Sequence, residues 1–261
     1  MVRLKLHICS LYSGSSGNSF LIGAGEDCIL IDAGKNAKRL CAAIRACGYA
    51  PEQVRAVFVT HEHSDHISAL PIFLKKYPVP VHIAAACAYR LEARETAEPL
   101  LVRHPPLYTE TVGPFTVTSF PTPHDSRASV GYRVEIADGE RRYRVGYATD
   151  IGYVTPEIRE GLSDCQAVIL ESNHDPEMLE NGSYPEELKR RIRSRRGHLS
   201  NPECAVLAAR LAACGAERIM LAHLSRENNT PNAAYGETLG AVANEAVTLC
   251  VADPEEVTFL L

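Results

Sequence analysis

Apolar and polar positions change rhythm several times along this chain. Residues 4–11 alternate, residues 19–22 run apolar, and Cys28-Ile29-Leu30-Ile31 is a short apolar run stopped by Asp32 and Gly34. Such alternation and short apolar runs bounded by turn residues predict strands. Residues 37–47 then read as a helix closed by Gly48, a residue suited to a helix end. Residues 54–60 are β-branched and apolar and predict a buried strand ending at His61, with the next helix over residues 66–76.

Residues 81–147 are expected to be mostly strand, with strands at 115–120, 130–136 and 142–147, and Asp138-Gly139 marks a hairpin turn. Beyond Asp150 the pattern is mixed. Strands are expected at 168–170 and 218–222, and helices at 185–196, 202–214 and 232–247. No short repeat, linker or low-complexity tract interrupts the sequence. The expectation is one domain over 1–261 whose halves each pass from strands to helices, an α/β organisation.

Composition changes this picture little. Hydrophobic content of 46% and charged content of 23% over 261 residues suit a globular protein with a sizeable core. The net charge of −5 argues against a diffuse basic surface, so any nucleic-acid contact must use a local patch. No apolar run reaches the length of a membrane span, and the alternating first residues lack the core of a signal peptide. The nine cysteines are odd in number, irregularly spaced and without C-x-x-C, as expected for thiols in a reducing cytoplasm.

The chemistry concentrates in Thr60-His61-Glu62-His63-Ser64-Asp65-His66, where four metal-ligand residues follow the spacing H-x-H-x-D-H on a loop after a strand. A hydrolytic metal centre needs imidazoles and carboxylates that converge from several such loops. His124, Asp150 and His223 each stand at the exit of an apolar strand, as His61 does. Taken singly, His124 or His223 would be a hydrogen-bonded structural histidine, Asp150 a turn or cap, and Asp32 part of a turn. Their joint order behind H-x-H-x-D-H favours ligands. His7, His82 and His104 have no such context and are expected to be structural.

Over nearly its whole length the chain resembles the metallo-β-lactamase fold superfamily, through Asp32, His61-x-His63-x-Asp65-His66, His124, Asp150 and His223 in that order. The resemblance implies a four-layer αββα sandwich and two divalent metal ions, with zinc, manganese and iron all admissible. It implies that His61, His63 and His124 hold one ion, that Asp65, His66 and His223 hold the other, and that Asp150 bridges them. Asp32 is implied to orient a ligand histidine. His63 stands where flavodiiron-type relatives carry Glu, and His66 and Asp150 stand where true β-lactamases usually lack His and carry Cys. Oxygen chemistry and antibiotic hydrolysis are therefore disfavoured.

Two later segments narrow the branch. Glu171-Ser172-Asn173-His174-Asp175 follows a strand, and Gly197-His198-Leu199-Ser200-Asn201 precedes a helix. A phosphodiester expels a poor alkoxide, so a carboxylate-oriented imidazole is a suitable proton donor. Glu171 with His198 could be that pair, as in the tRNA 3′-processing endonucleases of this superfamily. The bland alternative is a backbone-capping Glu171 and a packed His198. Catalytic roles are thus expected for Asp65, Glu171, His198 and His174.

Six of the eight residues from Lys189 to Arg196 are basic. Arg190, Arg191, Arg193, Arg195 and Arg196 are candidate phosphate contacts, unless the run is only a solvated helix face. Ser15, Ser16 and Asn18, in Ser13-Gly14-Ser15-Ser16-Gly17-Asn18-Ser19, could approach a phosphate through their small polar groups, although a plain hairpin loop explains them almost as well. The four signatures together look like one bacterial branch of the superfamily, the YycJ/WalJ type, regarded as DNA exonucleases. The interval between Asp150 and His223 is too short for the inserted domain of the β-CASP nucleases. The expectation is a cytoplasmic two-metal phosphodiesterase acting on nucleic acid, with DNA favoured and no membrane partner. The competing readings are a small-molecule ester, thioester or lactone hydrolase, and a non-catalytic nucleic-acid-binding protein with a structural metal.

Overall fold

The computed structural model describes residues 5–139 and 141–261. The chain begins with an antiparallel meander of β1 (Leu6–Tyr12), β2 (Ser19–Ala24) and β3 (Asp27–Ile31). Leu4, expected to start the first strand, lies outside the described residues. Helix α1 (Ala37–Ala46) then crosses over to β4 (Val54–Phe58), which lies parallel to β3. The Asn36 side chain accepts from the Arg39 amide and starts α1, and Leu40 and Ile44 face inward one turn apart.

Two short helices, α2 (Ser64–Ile67) and α3 (Leu70–Lys76), replace the single helix expected over 66–76. The break lets Ala69 N–H bond Ala33 O, which ties the motif loop to the exit of β3. Parallel strands β5 (Val81–Ala84) and β6 (Leu101–His104) complete the first sheet, separated by helical turns that include α4 (Tyr89–Glu92). Strand-rich patterning over this stretch is therefore only partly realised.

The second sheet repeats the plan. Strands β7 (Thr109–Val112), β8 (Phe115–Pro121), β9 (Val130–Asp138) and β10 (Arg141–Ala148) are antiparallel, and Asp138 pairs with Arg141 across the expected hairpin turn. Helix α5 (Pro156–Leu162) leads to β11 (Ala167–Glu171), parallel to β10. Then follow α6 (Pro176–Asn181), α7 (Glu186–Ile192) and α8 (Asn201–Ala213) before β12 (Arg218–Ala222). Helix α9 (Pro231–Val242) and β13 (Thr248–Val251) extend the sheet, while β14 (Thr258–Phe259) returns to pair with β1.

Each sheet has seven strands, in the orders β14-β1-β2-β3-β4-β5-β6 and β13-β12-β11-β10-β9-β8-β7. Three apolar clusters define four layers. Leu40, Ile44, Phe73 and Val57 pack the first sheet on its helices. Ile22, Ile29, Tyr132, Tyr147 and Met220 fill the space between sheets. Leu162, Leu170, Leu207 and Leu221 pack the second sheet on its helices. This is the expected αββα sandwich, in which both faces of each central sheet are covered.

Two helices are shorter than their patterns predict. Helix α7 stops at Ile192, whose carbonyl accepts the His198 amide as the chain folds back over the helix end. Helix α9 stops at Val242, and Ala243 turns left-handed so that β13 can start at Thr248. Tertiary needs override helix propensity at both points. All nine cysteines are free and most are buried. No helix among the described residues is long and apolar enough to cross a membrane.

Candidate metal centre

Asp32, His61, Asp150, Glu171 and His223 stand at or just beyond the ends of parallel-sheet strands β3, β4, β10, β11 and β12. Parallel strands deliver such residues to one sheet edge, where α/β proteins place their sites. Asp32, Asp150 and His223 have φ of 60°, 56° and 57°, so each chain turns sharply as its strand ends. Asp and His tolerate this left-handed geometry better than most residues.

The ligand candidates converge in overlapping groups whose donor atoms lie within 4.8 Å of one another. His61, His63 and His124 form one group, and Asp65, His66 and His223 form another. Asp150 lies between them. Its carboxylate is 3.4 Å from His66 Nε2, 3.6 Å from His223 Nε2 and 3.7 Å from His124 Nε2. The structure brings together the residues of both trios named from the sequence, and Asp150 reaches members of both.

The far sides of the imidazoles are anchored. Asp32 is fully buried and accepts His66 Nδ1–H at 2.7 Å. It also accepts the Thr60 amide and hydroxyl at 2.8 and 2.9 Å, and the Thr60 hydroxyl contacts His61 Nδ1 at 2.9 Å. One aspartate thus orients His66 directly and His61 through Thr60. His124 Nδ1–H donates to Gly197 O at 3.2 Å, and His223 Nδ1–H to Glu171 at 2.9 Å.

With Nδ1 occupied, each Nε2 is left facing the cluster. His61 Nε2, His223 Nε2 and Asp150 Oδ2 are buried and have no hydrogen-bond partner in the protein. Buried polar atoms in native proteins are normally satisfied. Orphaned imidazole and carboxylate atoms within these donor groups, with the far ring nitrogens fixed, fit divalent cations.

The electrostatics divide the candidate ligands. Burial and the neighbouring imidazoles hold His61 well below the usual histidine range, and burial lowers His124. A lowered pKa favours the neutral ring that metal ligation requires. Burial also opposes charge on His66 and His223, but the carboxylates around them win and push both up, His223 to about 10. Burial resists ionisation of Asp65 and Asp150 too, yet the adjacent histidines hold both below the ordinary carboxylate range.

Glu171 is fully buried and uses both oxygens twice. Oε1 accepts His198 Nδ1–H at 2.8 Å and His223 Nδ1–H at 2.9 Å, while Oε2 accepts the amides of Ile151 and Leu199, each at 2.9 Å. Despite burial, His198 and His223 keep its carboxyl well below the usual range. His198 is the more exposed of the two rings and lines a cleft of about 270 Å³ above the cluster.

Some expected residues fall elsewhere. His174 neither lines that cleft nor joins a ligand group. It is buried on the loop after β11, where its carbonyl accepts the Asn201 amide, and its neighbour Asn173 lines the cleft instead. Asn18, a candidate phosphate contact, is fully buried and does not line the cleft. Its amide instead contacts Gly14 O, Asp65 Oδ2 and His66 Nε2. Ser15 lines the cleft, while Ser16 is exposed and accepts from Arg226.

The basic run divides in the same way. Arg191 lines the cleft and binds Asp125 at 2.6 Å. Arg193 pairs with Glu180, Arg190 reaches Glu186 O at 3.4 Å, and Arg195 lies over Tyr153 at 4.1 Å. Arg196 donates to His124 O and Ser126 O, bracing the loop that carries a ligand candidate.

Asp125 was not foreseen. Its Oδ1 is 3.1 Å from His124 Nε2 and 3.8 Å from His63 Nε2. Adjacency to His124 was the only signal in the sequence. Tyr184 and Ser225 also line the cleft without any pattern that marks them. His82 and His104, expected to be structural, share a 3.0 Å hydrogen bond between Nδ1 and Nε2, and His82 stacks on Phe58.

The family model described as beta-lactamase superfamily domain matches residues 27–224, which include every ligand candidate above. Exodeoxyribonuclease YycJ of Bacillus anthracis is 34% identical over 235 residues, covering 87% of this chain and 85% of that protein. Exodeoxyribonuclease WalJ of Streptococcus pneumoniae is 32% identical over 229 residues, covering 86% and 84%. The structure of the metallo-beta-lactamase fold protein YhfI from Bacillus subtilis covers 98% of this chain and 100% of its own, with a TM-score of 0.74 and 19% identity.

Proposed function

This chain belongs to the beta-lactamase superfamily and is a metallohydrolase of that fold, and from this premise we propose that it removes nucleotides from DNA ends by hydrolysing phosphodiester bonds. We read residues 1–261 as one unit without an inserted nuclease domain. The observation that carries the reading is the Glu171 and His198 pair beside the candidate ligand cluster. A hydrolase of thioesters, whose thiolate leaves without a proton, has less need of such a donor. The names of the two exodeoxyribonuclease relatives support the same bond and polymer.

His61, His63 and His124 would hold one divalent ion and Asp65, His66 and His223 a second, with Asp150 between them. When bound, such ions lower the pKa of water and neutralise charge on phosphoryl oxygens. The protein supplies the rest. Asp32, Thr60, Gly197 and Glu171 fix the ligand rings so that little reorganisation is needed. His198, its Nδ1–H held by Glu171, presents Nε2 to the cleft and protonates the departing sugar oxygen. Arg191 and Ser15 line the same cleft and would position the flanking phosphates.

The test is incubation of metal-reconstituted protein with end-labelled single- and double-stranded DNA and RNA, with zinc and manganese in parallel and a chelator control. Progressive shortening of DNA that stops on chelation is expected. Hydrolysis of thioesters or lactones with intact DNA would transfer the site to small molecules.

A further inference from the structure

Beyond one rim of the cleft lies a cation cluster built on a single carboxylate. Lys35 Nζ donates to Glu255 Oε2 and to Pro254 O, each at 2.7 Å. Arg39 also binds Glu255 Oε2, and Arg226 binds Oε1 while donating to Ser16 Oγ at 3.0 Å. Three cations therefore meet one anion. Asp253 lies nearby, but its carboxylate is engaged by the backbone amides of Glu255 and Glu256.

Lys35 makes this more than a set of surface pairs. Its side chain is only 5% exposed, while that of Glu255 is 37% exposed. The lysine stem packs against Gly17, where an added Cβ would lie 2.4 Å from Lys35 Cγ, and its ammonium lies 5.0 Å from the Tyr12 ring centre. Burying an ammonium is costly unless an anion is close. Here that anion is a glutamate on a C-terminal turn that solvent can reach. Exposed ion pairs contribute little to stability, so stability alone is a weak reason to gather Arg39 and Arg226 there as well.

Two chain segments link the cluster to the cleft. Ser15 and Ser225 line the cleft, and their chain neighbours Ser16 and Arg226 belong to the cluster. We propose that Lys35, Arg39 and Arg226 form a phosphate subsite for the strand beyond the scissile bond, with the Glu255 carboxylate standing in for the phosphate until the strand arrives. This deepens the nuclease reading and rests on it. A phosphodiester carries the charge of Glu255 and offers comparable acceptor oxygens to guanidinium and ammonium groups. The cluster then selects a polymer over a mononucleotide, because only a chain extending past the metals reaches it.

The test is binding of labelled octathymidylate and dithymidylate to the full chain in the presence of chelator, followed by fluorescence anisotropy. Glu255→Gln removes the resident anion and should tighten octathymidylate by about three- to tenfold. Arg39→Gln with Arg226→Gln should weaken it by about tenfold. The same double variant should flatten the log–log salt slope by roughly 0.7, the amount for one phosphate no longer neutralised. Dithymidylate should bind all three proteins alike. A structural latch predicts the opposite for Glu255→Gln, since loosening the rim would weaken binding, and that result overturns the subsite. Equal losses for the two oligonucleotides overturn it as well. Absence of DNA hydrolysis by the metal-loaded protein, with these binding changes intact, overturns the nuclease reading and with it the scissile bond that defines the subsite, whereas hydrolysis without these binding changes overturns the subsite alone.

Discussion

His198 and His223 share one oxygen atom: Glu171 Oε1 accepts an Nδ1–H from each, at 2.8 and 2.9 Å. The candidate proton donor and a candidate metal ligand are therefore oriented by one buried carboxylate. Replacing it with an amide of the same shape should disturb both. Glu171→Gln is expected to lower DNA hydrolysis by about 10²–10⁴-fold and metal affinity by about 10–100-fold. Kinetics at saturating metal and metal titration separate the two effects, and unchanged metal affinity would show that His223 does not depend on the shared oxygen.

Removing the donor alone should discriminate between leaving groups. His198→Ala is expected to slow hydrolysis of natural DNA by about 10²–10⁴-fold. An aryl phosphodiester, whose phenolate departs without a proton, should lose far less. Equal losses on both substrates would assign His198 to binding instead of proton transfer.

Asp32→Asn tests the anchoring of the ligand rings. Asparagine tolerates the left-handed backbone at this position, so the chain should still fold. Its amide nitrogen, however, can turn His66 Nδ1 into an acceptor and place the ring proton on Nε2, the atom that faces the cluster. Metal affinity is expected to fall by about 10–100-fold with little change in circular dichroism. Wild-type affinity in a folded variant would remove Asp32 from the metal argument.

Gly34→Ala should be far more damaging than its size suggests. A Cβ there would lie 1.9 Å from Asp65 O and 2.6 Å from Asn18 N, both backbone atoms that cannot swing away. The loop carrying Asp65 and His66 would have to move. Thermal melting should show a large loss of stability and metal titration a weakened site. A variant matching wild type in both would mean that the loop is more pliant than its hydrogen bonds to residues 18 and 33 imply.

His82 supplies a pH dependence separate from the metals. Burial and the adjacent His104 lower it to about 4, against 6.5 for an ordinary histidine. Between those values the unfolded chain binds the proton more readily, so stability rises with pH across the window. The contribution is intact above pH 6.5 and declines as pH falls toward 4. Allowing for partial solvent access, it amounts to about 2 kcal/mol. Melting curves of wild type and His82→Phe from pH 4 to 7 should differ in slope, and identical slopes would assign the pH sensitivity elsewhere.

Much of this was legible in the sequence because metal ligands must be particular residue types at strand exits. H-x-H-x-D-H, Asp150 and His223 stood out for that reason, and the apolar runs before them marked the strands. Features that depend on packing were less visible. The split of α2 from α3 follows from the Ala69 bond to Ala33, and the early end of α7 from the return of the chain to His198. Neither leaves a periodic trace. The burial of Asn18 and His174 away from the cleft was hidden for a related reason: a motif fixes which residues are adjacent in sequence but not which face of a loop is buried. Lys35, Arg39, Arg226 and Glu255 come from segments far apart in the chain, so no local pattern announces their meeting.

Left-handed backbone at Asp32, Asp150 and His223 has a bearing on redesign. Few amino acids sit comfortably at such corners, and glycine, the easiest, has nothing to offer a cation. Among side chains able to bind a cation, aspartate, asparagine and histidine are the most tolerant of this geometry. An engineer seeking a different metal preference by installing glutamate or a branched side chain at these three points would be working against the main chain before any coordination chemistry began.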